Sequence, residues 1–469
     1  MAIWLDPIIY AAPSVSFDLN GGRRTTEYLA PWDFNGTDVG LGPIPVWSGH
    51  GRFRDGSNTV TAHIGRFLPW QRDIVVDASF ERSSMSSTST TRPGLGLDFS
   101  AADSMIDSYI RDEQLNGAGL VVVHRDHGVV HESYRGEITA DRISLLASST
   151  KMISASVLLH LADEGLLDMN APISDIPGLG WGNVLRGATP AQLLSNSSGL
   201  PALSALDTAP FFGYTFGNAC PLNSSRSLLE CGRTIAQNTL DEWFQVDPDT
   251  EFRYGGPQWH VAGAIAEQVS GKSWAQLIDE IFVQPCGLGT LGYTTLFQLG
   301  YLLSLDPLPY PGGFDGDLSN LVATNNPTIE AGGYTTPRDY ARLLLMLLRD
   351  GRCGDTQVLS PAAIEMMTTD RIGPAYGGEA EGRGYGLGWV IDGDVALDPG
   401  LFGAVPWLDL DDGYGAYFVV EDLAPPGSPG RPDLIAAVDA AMANSRVAHA
   451  RPAPGAGTVP VGRRRDRLG

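Results

Sequence analysis

The sequence predicts a mixed fold of the α/β class, α+β in type: an antiparallel sheet built from distant segments, flanked by helices, with a helical lobe inserted between its strands. Three observations predict it. Gly119 to His124 and Gly128 to Tyr134 are strand-like runs separated by Arg125-Asp126-His127, a hairpin with a glycine-assisted turn. Strand-like alternation returns only near the other end, over Tyr385 to Ile391 and Gly415 to Val420. Between these ends the apolar residues recur at helical spacing.

The elements follow in order. Residues 1–95 are rich in Gly and Pro with scattered aromatics, and hold short strand-like runs at Pro43 to Val46 and Asp73 to Val76. They read as an N-terminal extension, either a small β-rich appendage or a poorly ordered segment, closing in a Ser/Thr-rich linker from Ser83 to Thr91. A main domain spans 96–424. Ser100 is placed to cap a helix over Ala101 to Arg111, and the hairpin follows it. Further helices are expected from Ser149 through Leu161, at Thr189-Pro190-Ala191-Gln192, over Gln258 to Val269, over Trp274 to Val283 and over Tyr340 to Arg349. Prolines at first-turn positions and glycines beyond the last turns punctuate them. Residues 425–469 decay into a Pro/Gly/Arg-rich tail with one helix over Asp433 to Ala443.

Composition excludes several functions. The net charge of −23 argues against nucleic-acid binding, since a phosphate backbone needs a positive counterpart. The four arginines at 463, 464, 465 and 467 read as a solvated tail. No uninterrupted apolar stretch of about 18 residues suggests a membrane span. The eight histidines form no H-E-x-x-H pattern, and the cysteines no C-x-x-C, so neither a metal site nor a cofactor is expected. His124, His127 and His131 read as part of an exposed turn. Cys220 and Cys231 flank a polar loop where a local disulfide is plausible, with Cys286 and Cys353 a second pair. The paired cysteines favour an extracytoplasmic compartment, whereas the N-terminus lacks a basic, then apolar, leader pattern. Localisation and oligomeric state stay open.

Lysine usage is the most informative number. Only Lys151 and Lys272 occur among 31 basic residues. Arginine cannot give up its proton, so a site that needs a neutral amine must keep lysine. Lys272 sits in Ser270-Gly271-Lys272-Ser273, a turn between helices, without the earlier glycine that a phosphate-cradling loop requires. Lys151 closes Ser148-Ser149-Thr150-Lys151 at the start of an apolar helix. Residues three apart share a helix face, so an amine at Lys151 can reach the Ser148 hydroxyl and activate it as a nucleophile. The helix start also supplies N–H groups that favour negative charge developing on an attacked carbonyl.

The context of this tetrad resembles the serine β-lactamase-like family, which includes class C β-lactamases, penicillin-binding DD-peptidases, and related esterases and D-amino-acid amidases. The resemblance rests on Leu146 to Ala155 with Leu161 to Asp168, on Leu193-Leu194-Ser195-Asn196-Ser197-Ser198-Gly199-Leu200, on Phe252-Arg253-Tyr254-Gly255-Gly256, and on Ala331-Gly332-Gly333-Tyr334-Thr335-Thr336, all in the expected order. It implies a β-lactamase/transpeptidase-like fold and an acyl-enzyme on Ser148, with Lys151 and Tyr254 as helpers. Two departures stand out. Gly256 occupies the asparagine position of the Y-x-N motif, and Asp398-Pro399-Gly400-Leu401 stands where K-T-G or H-x-G is usual. The resemblance places Gly256, Asp398, Gly400 and Leu401 at the substrate and oxyanion side, with the Ser148 N–H and one near Leu401 as oxyanion donors. An acidic Asp398 would repel a substrate carboxylate, so neutral esters or amides are expected over penicillins. A small-molecule ester or amide is thus the expected partner. A true β-lactamase, DD-peptidase or D-amino-acid amidase is one alternative, and a catalytically impaired binding module is another.

Overall fold

The computed structural model describes residues 86–113, 115–202, 225–237, 245–295, 314–321, 323–372, 383–421 and 431–449, with side chains to 443, and the backbone of six strands between residues 2 and 82. Four of those strands form one antiparallel sheet, Thr25–Tyr28, Ser14–Leu19, Gly56–Ile64 and Ile74–Arg82, and Ala2–Leu5 pairs with Ile44–Ser48.

The main sheet has eight antiparallel strands: β1 (Ser87–Thr91), β2 (Gly117–His124), β3 (Gly128–Gly136), β4 (Gly384–Tyr385), β5 (Val390–Asp392), β6 (Val395–Leu397), β7 (Ala404–Asp409) and β8 (Tyr414–Val419). Their order across the sheet is β4-β5-β6-β7-β8-β2-β3-β1. The N-terminal hairpin therefore lies beside β8, which pairs with β2 from Tyr414↔His124 to Val419↔Gly119. The long helical insertion between β3 and β4 is the expected lobe. Residues 87–91, read as linker, instead form the edge strand β1, because Ser and Thr suit a half-exposed ladder and pair with His131 to Arg135. The Tyr385 to Ile391 run breaks into β4 and β5, a hairpin whose turn includes Gly388 at φ 81°.

Alternation along β2 decides what covers each face. Leu120 and Val122 pack with helix α1 (Ser100–Asp112) and with Leu434, Val438 and Met442, whereas Val121 and Val123 face the larger core of the helical lobe. A sheet covered on both faces reads as a continuous apolar run, as β2 does. The N-cap of α1 is Phe99, not Ser100, which is already helical and donates its N–H to the Asp98 Oδ1 at 3.0 Å. Four further helices matter below: α2 (Lys151–Asp163), α3 (Gln258–Ser270), α4 (Pro337–Leu348) and α5 (Pro432–His449). The helix expected over Trp274 to Val283 passes from an α-turn, Trp274–Ile278, into a π-turn, Asp279–Val283. Helix α5 packs on α1's face of the sheet, so part of the expected tail belongs to the core.

Of the histidines assigned to an exposed turn, His131 is buried and bonded to Thr91 (2.9 Å) and Asp103 (3.3 Å), because it points inward from β3. Cys286 and Cys353 form the second expected disulfide. Cys231 is disulfide-bonded, and Cys220, its expected partner, lies outside the described residues. Among the described residues no helix is long and apolar enough to cross a membrane.

Candidate active site

Helix α2 is buried on nearly every side, so its one lysine, Lys151, is enclosed by the core. A 3₁₀ turn, Ala147–Thr150, precedes it. Ala147 enters that turn at φ 47°, the left-handed region that L-residues seldom adopt. The result is a sharp exposure gradient: Ser148 stays partly accessible, whereas Ser149, Thr150 and Lys151 are buried.

The Lys151 Nζ donates to the Ser148 Oγ at 3.0 Å and to the Glu330 carbonyl at 3.2 Å. It lies 4.6 Å from the Tyr254 ring centroid and 5.7 Å from that of Trp259. The Tyr254 hydroxyl has Ser148 and Lys151 as hydrogen-bond partners. The tetrad and the second-motif tyrosine, far apart in sequence, therefore converge. Burial alone would push Lys151 toward the neutral amine, but Tyr254, Glu330 and Asp398 around it outweigh burial and raise its pKa. Burial also raises Tyr254, against the opposing pull of Lys151. These directions favour an ammonium beside a phenol in the resting site.

Asn196 builds the tyrosine loop. Its Oδ1 accepts the Gly255 N–H (3.0 Å), the Gln258 amide (3.1 Å) and the Trp259 indole N–H (3.0 Å), and its carbonyl accepts the Arg253 N–H (2.8 Å). One side chain thereby ties the Leu193 to Leu200 segment to the start of α3. Gly256 sits at φ 88°, and its N–H points at both carboxylate oxygens of Glu330, each 3.0 Å away. Glu330 is fully buried, and its Oε2 lies 3.6 Å from the Lys151 Nζ. Sequence reasoning missed Glu330. The available signal was an acid inside the apolar stretch Thr328-Ile329-Glu330-Ala331, directly before a segment already singled out.

The loop from Asp398 to Gly403 docks against the tetrad. Ser149 Oγ lies 2.6 Å from the Asp398 carbonyl and 2.8 Å from the Ala404 carbonyl, so its single proton serves two acceptors. Gly400 must be glycine, because a Cβ there would collide with the Leu146 carbonyl. Leu401 is exposed at the rim, and the Gly400 N–H is used within the loop by the Ala404 carbonyl (2.7 Å). Asp398, expected to repel a substrate carboxylate, is a buried residue. Its side chain is 1% exposed, and burial raises its pKa well above the carboxylate range despite Lys151 and the Met152 N–H. It faces the start of α2, where burial favours the protonated acid and the Lys151 charge opposes it. Lys272 is peripheral, ion-paired with Glu280. Among the described residues no group of three or more His, Cys, Asp or Glu is placed to hold a metal.

Comparison with known proteins gives the family and the fold. The family model described as Beta-lactamase matches residues 102–440. Penicillin-binding protein 4 of Amycolatopsis lactamdurans is 25% identical over 272 residues, an alignment spanning 56% of this chain and 66% of that protein. A lovastatin esterase of Penicillium rubens is 25% identical over 357 residues, spanning 67% of this chain and 84% of its own. The crystal structure described as a putative beta-lactamase from Bacteroides dorei is 25% identical with a TM-score of 0.56, covering 74% of this chain and 99% of that one.

Proposed function

The chain belongs to the Beta-lactamase family, and on that premise we propose that it hydrolyses small neutral esters or amides through an acyl-enzyme on Ser148. The contact between Lys151 Nζ and Ser148 Oγ, 3.0 Å at a partly open surface, carries this reading. Ser148 Oγ attacks the carbonyl carbon, and its proton passes to the Lys151–Tyr254 pair. The backbone N–H groups of Ser148 and Leu401 hold the oxyanion. The leaving alcohol or amine takes the proton, and water then cleaves the acyl-enzyme, releasing the acid and restoring the Ser148 hydroxyl.

Preference for neutral substrates rests on a missing attraction. Where the family usually carries Lys or His, this chain has the buried acid Asp398, so the position offers no cation to a substrate carboxylate. The esterase named among the relatives supports the same preference.

Intact-mass labelling tests the reading. A fluorophosphonate is expected to add one label to the wild type and none to Ser148→Ala. A penicillin run in parallel is expected to label far more slowly. Persistent labelling of Ser148→Ala would move the nucleophile, and an unlabelled wild type would favour a binding module.

A further inference from the structure

Lys151 presents a physical difficulty that its serine partner does not resolve. Its side chain is fully buried, and a buried ammonium is costly unless a counter-charge and hydrogen bonds compensate it. Three titratable side chains act on it: those of Tyr254, Asp398 and Glu330. Tyr254 is a phenol, and Asp398 is driven by burial toward its neutral form. The Glu330 carboxylate, 3.6 Å away, is left as the counter-ion.

The surroundings hold Glu330 in that place. The Gly256 N–H donates to both of its oxygens, and a left-handed backbone at Gly255 and Gly256 aims it there. The tight turn at Thr328–Gly332 fixes its main chain, with the Gly332 N–H on the Thr328 carbonyl at 2.7 Å. One turn further along α2, Ser154 Oγ donates to the Ile329 carbonyl at 2.6 Å, and Lys151 itself donates to the Glu330 carbonyl. Glu330 therefore offers Lys151 both a charge and a main-chain acceptor, with Gly256 acting through its backbone instead of a side chain.

We propose that Glu330 is the positioning residue of this site: its carboxylate, clamped by the Gly256 N–H, holds the Lys151 ammonium against Ser148 and sets the pH at which that proton leaves. The proposal rests on Ser148 and Lys151 forming the acylation machinery described above. An opposite charge at this distance typically shifts a pKa by about 1–3 units, and removing it releases the lysine proton at lower pH.

The experiment measures the rate of fluorophosphonate labelling against pH for the wild type, Glu330→Gln and Glu330→Asp, with melting followed for each. Glu330→Gln keeps the shape and an acceptor for the Gly256 N–H but removes the charge. Its rising alkaline limb is expected to move down by at least about one unit, with the plateau rate reduced about tenfold as the amine loses its anchor. Glu330→Asp, which keeps the charge but withdraws it by one methylene, is expected to show a limb displaced by less than Glu330→Gln and a partly restored plateau. A folded Glu330→Gln whose limb and plateau match the wild type would overturn the proposal, as would a lowered plateau with an unmoved limb, the signature of a purely structural residue. Should Glu330→Gln fail to fold, Glu330→Asp decides: wild-type limb and plateau overturn the proposal, and a displaced limb supports it. A wild type that takes no label at all would instead sink the acylation reading on which this rests.

Discussion

Ser149, the immediate neighbour of the candidate nucleophile, is bonded through its hydroxyl to the main-chain carbonyl of Asp398 at 2.6 Å, across a separation of 249 residues. The contact joins the turn that aims Ser148 to the loop that presents Leu401, so two adjacent serines have opposite duties. Ser149 is expected to be structural: Ser149→Ala removes the hydroxyl donor from the Asp398 carbonyl, while the Ala404 carbonyl keeps the Gly400 N–H, and should cost about 1–3 kcal/mol of stability. Chemical denaturation measures the loss, and mass labelling should still find the probe on Ser148. A stable Ser149→Ala that has lost its label would give Ser149 the chemistry instead.

Asp398 gives a pH dependence with a definite sign. Its folded pKa lies well above the unfolded value, so above about pH 4 the folded state holds a proton that the unfolded chain has released. Its contribution to stability is complete below the unfolded pKa and is lost as pH rises through the folded one. Asp398→Asn, neutral at every pH, should melt near the wild type at about pH 4 and progressively above it toward alkaline pH. Melting temperatures across that range check the slope, and a parallel pair of curves would show that Asp398 is ionised in the folded protein. The same variant should leave the ratio of ester to cephalosporin turnover within about threefold of wild type, because the side chain is buried.

The bridge between Cys286 and Cys353 closes a loop of 67 residues, joining the C-terminal end of one helical segment to the short hairpin after α4. In the chain-entropy account a loop of this size contributes about 4 kcal/mol through the unfolded state. Replacing both cysteines by serine should lower the melting temperature by several degrees without altering labelling of Ser148, since the bridge lies away from the tetrad. Differential scanning calorimetry in parallel with labelling decides it, and an unchanged melting temperature would remove the bridge from the stability account.

Much of this was legible in the chain because local rules and the family resemblance agreed. The hairpin, α2 and α4 carry periodicity, capping residues and glycine stops that point to one assignment, and Thr336 caps α4 as its position suggests. Ser148, Lys151 and Tyr254 were found by spacing, by lysine scarcity and by motif order, and the fold brings them together. Glu330 was hidden because its partner is a backbone N–H of a glycine, which leaves no side-chain pattern to search for. The burial of Asp398 was hidden for the opposite reason: its acidity is written in the sequence, whereas its enclosure against α2 depends on the fold. Strand β1 escaped because serines and threonines describe a linker and a solvent-facing edge strand equally well.

Lys151 provides the sharpest test of the chemistry. Its Nζ is enclosed by Ser148, the Glu330 carbonyl and the faces of Tyr254 and Trp259, with no exposed surface. The surrounding charges keep it protonated at rest, so acylation must wait for the Lys151–Tyr254 pair to lose a proton, and kcat/KM for a neutral ester should rise from neutral toward alkaline pH. Arginine keeps the positive charge but never releases its proton, and its guanidinium is larger than the space the amine fills. If Lys151 served only as a fixed charge, Lys151→Arg would retain most of the activity. We expect instead a loss of at least about 10²-fold in acylation rate, together with loss of the alkaline rise. Circular dichroism and melting near wild type make the comparison valid, and Lys151→Met, close in volume and uncharged, separates the steric cost from the chemical one. A folded Lys151→Arg enzyme acylating within about threefold of wild type would transfer the base role to Tyr254 and leave the amine as an electrostatic helper.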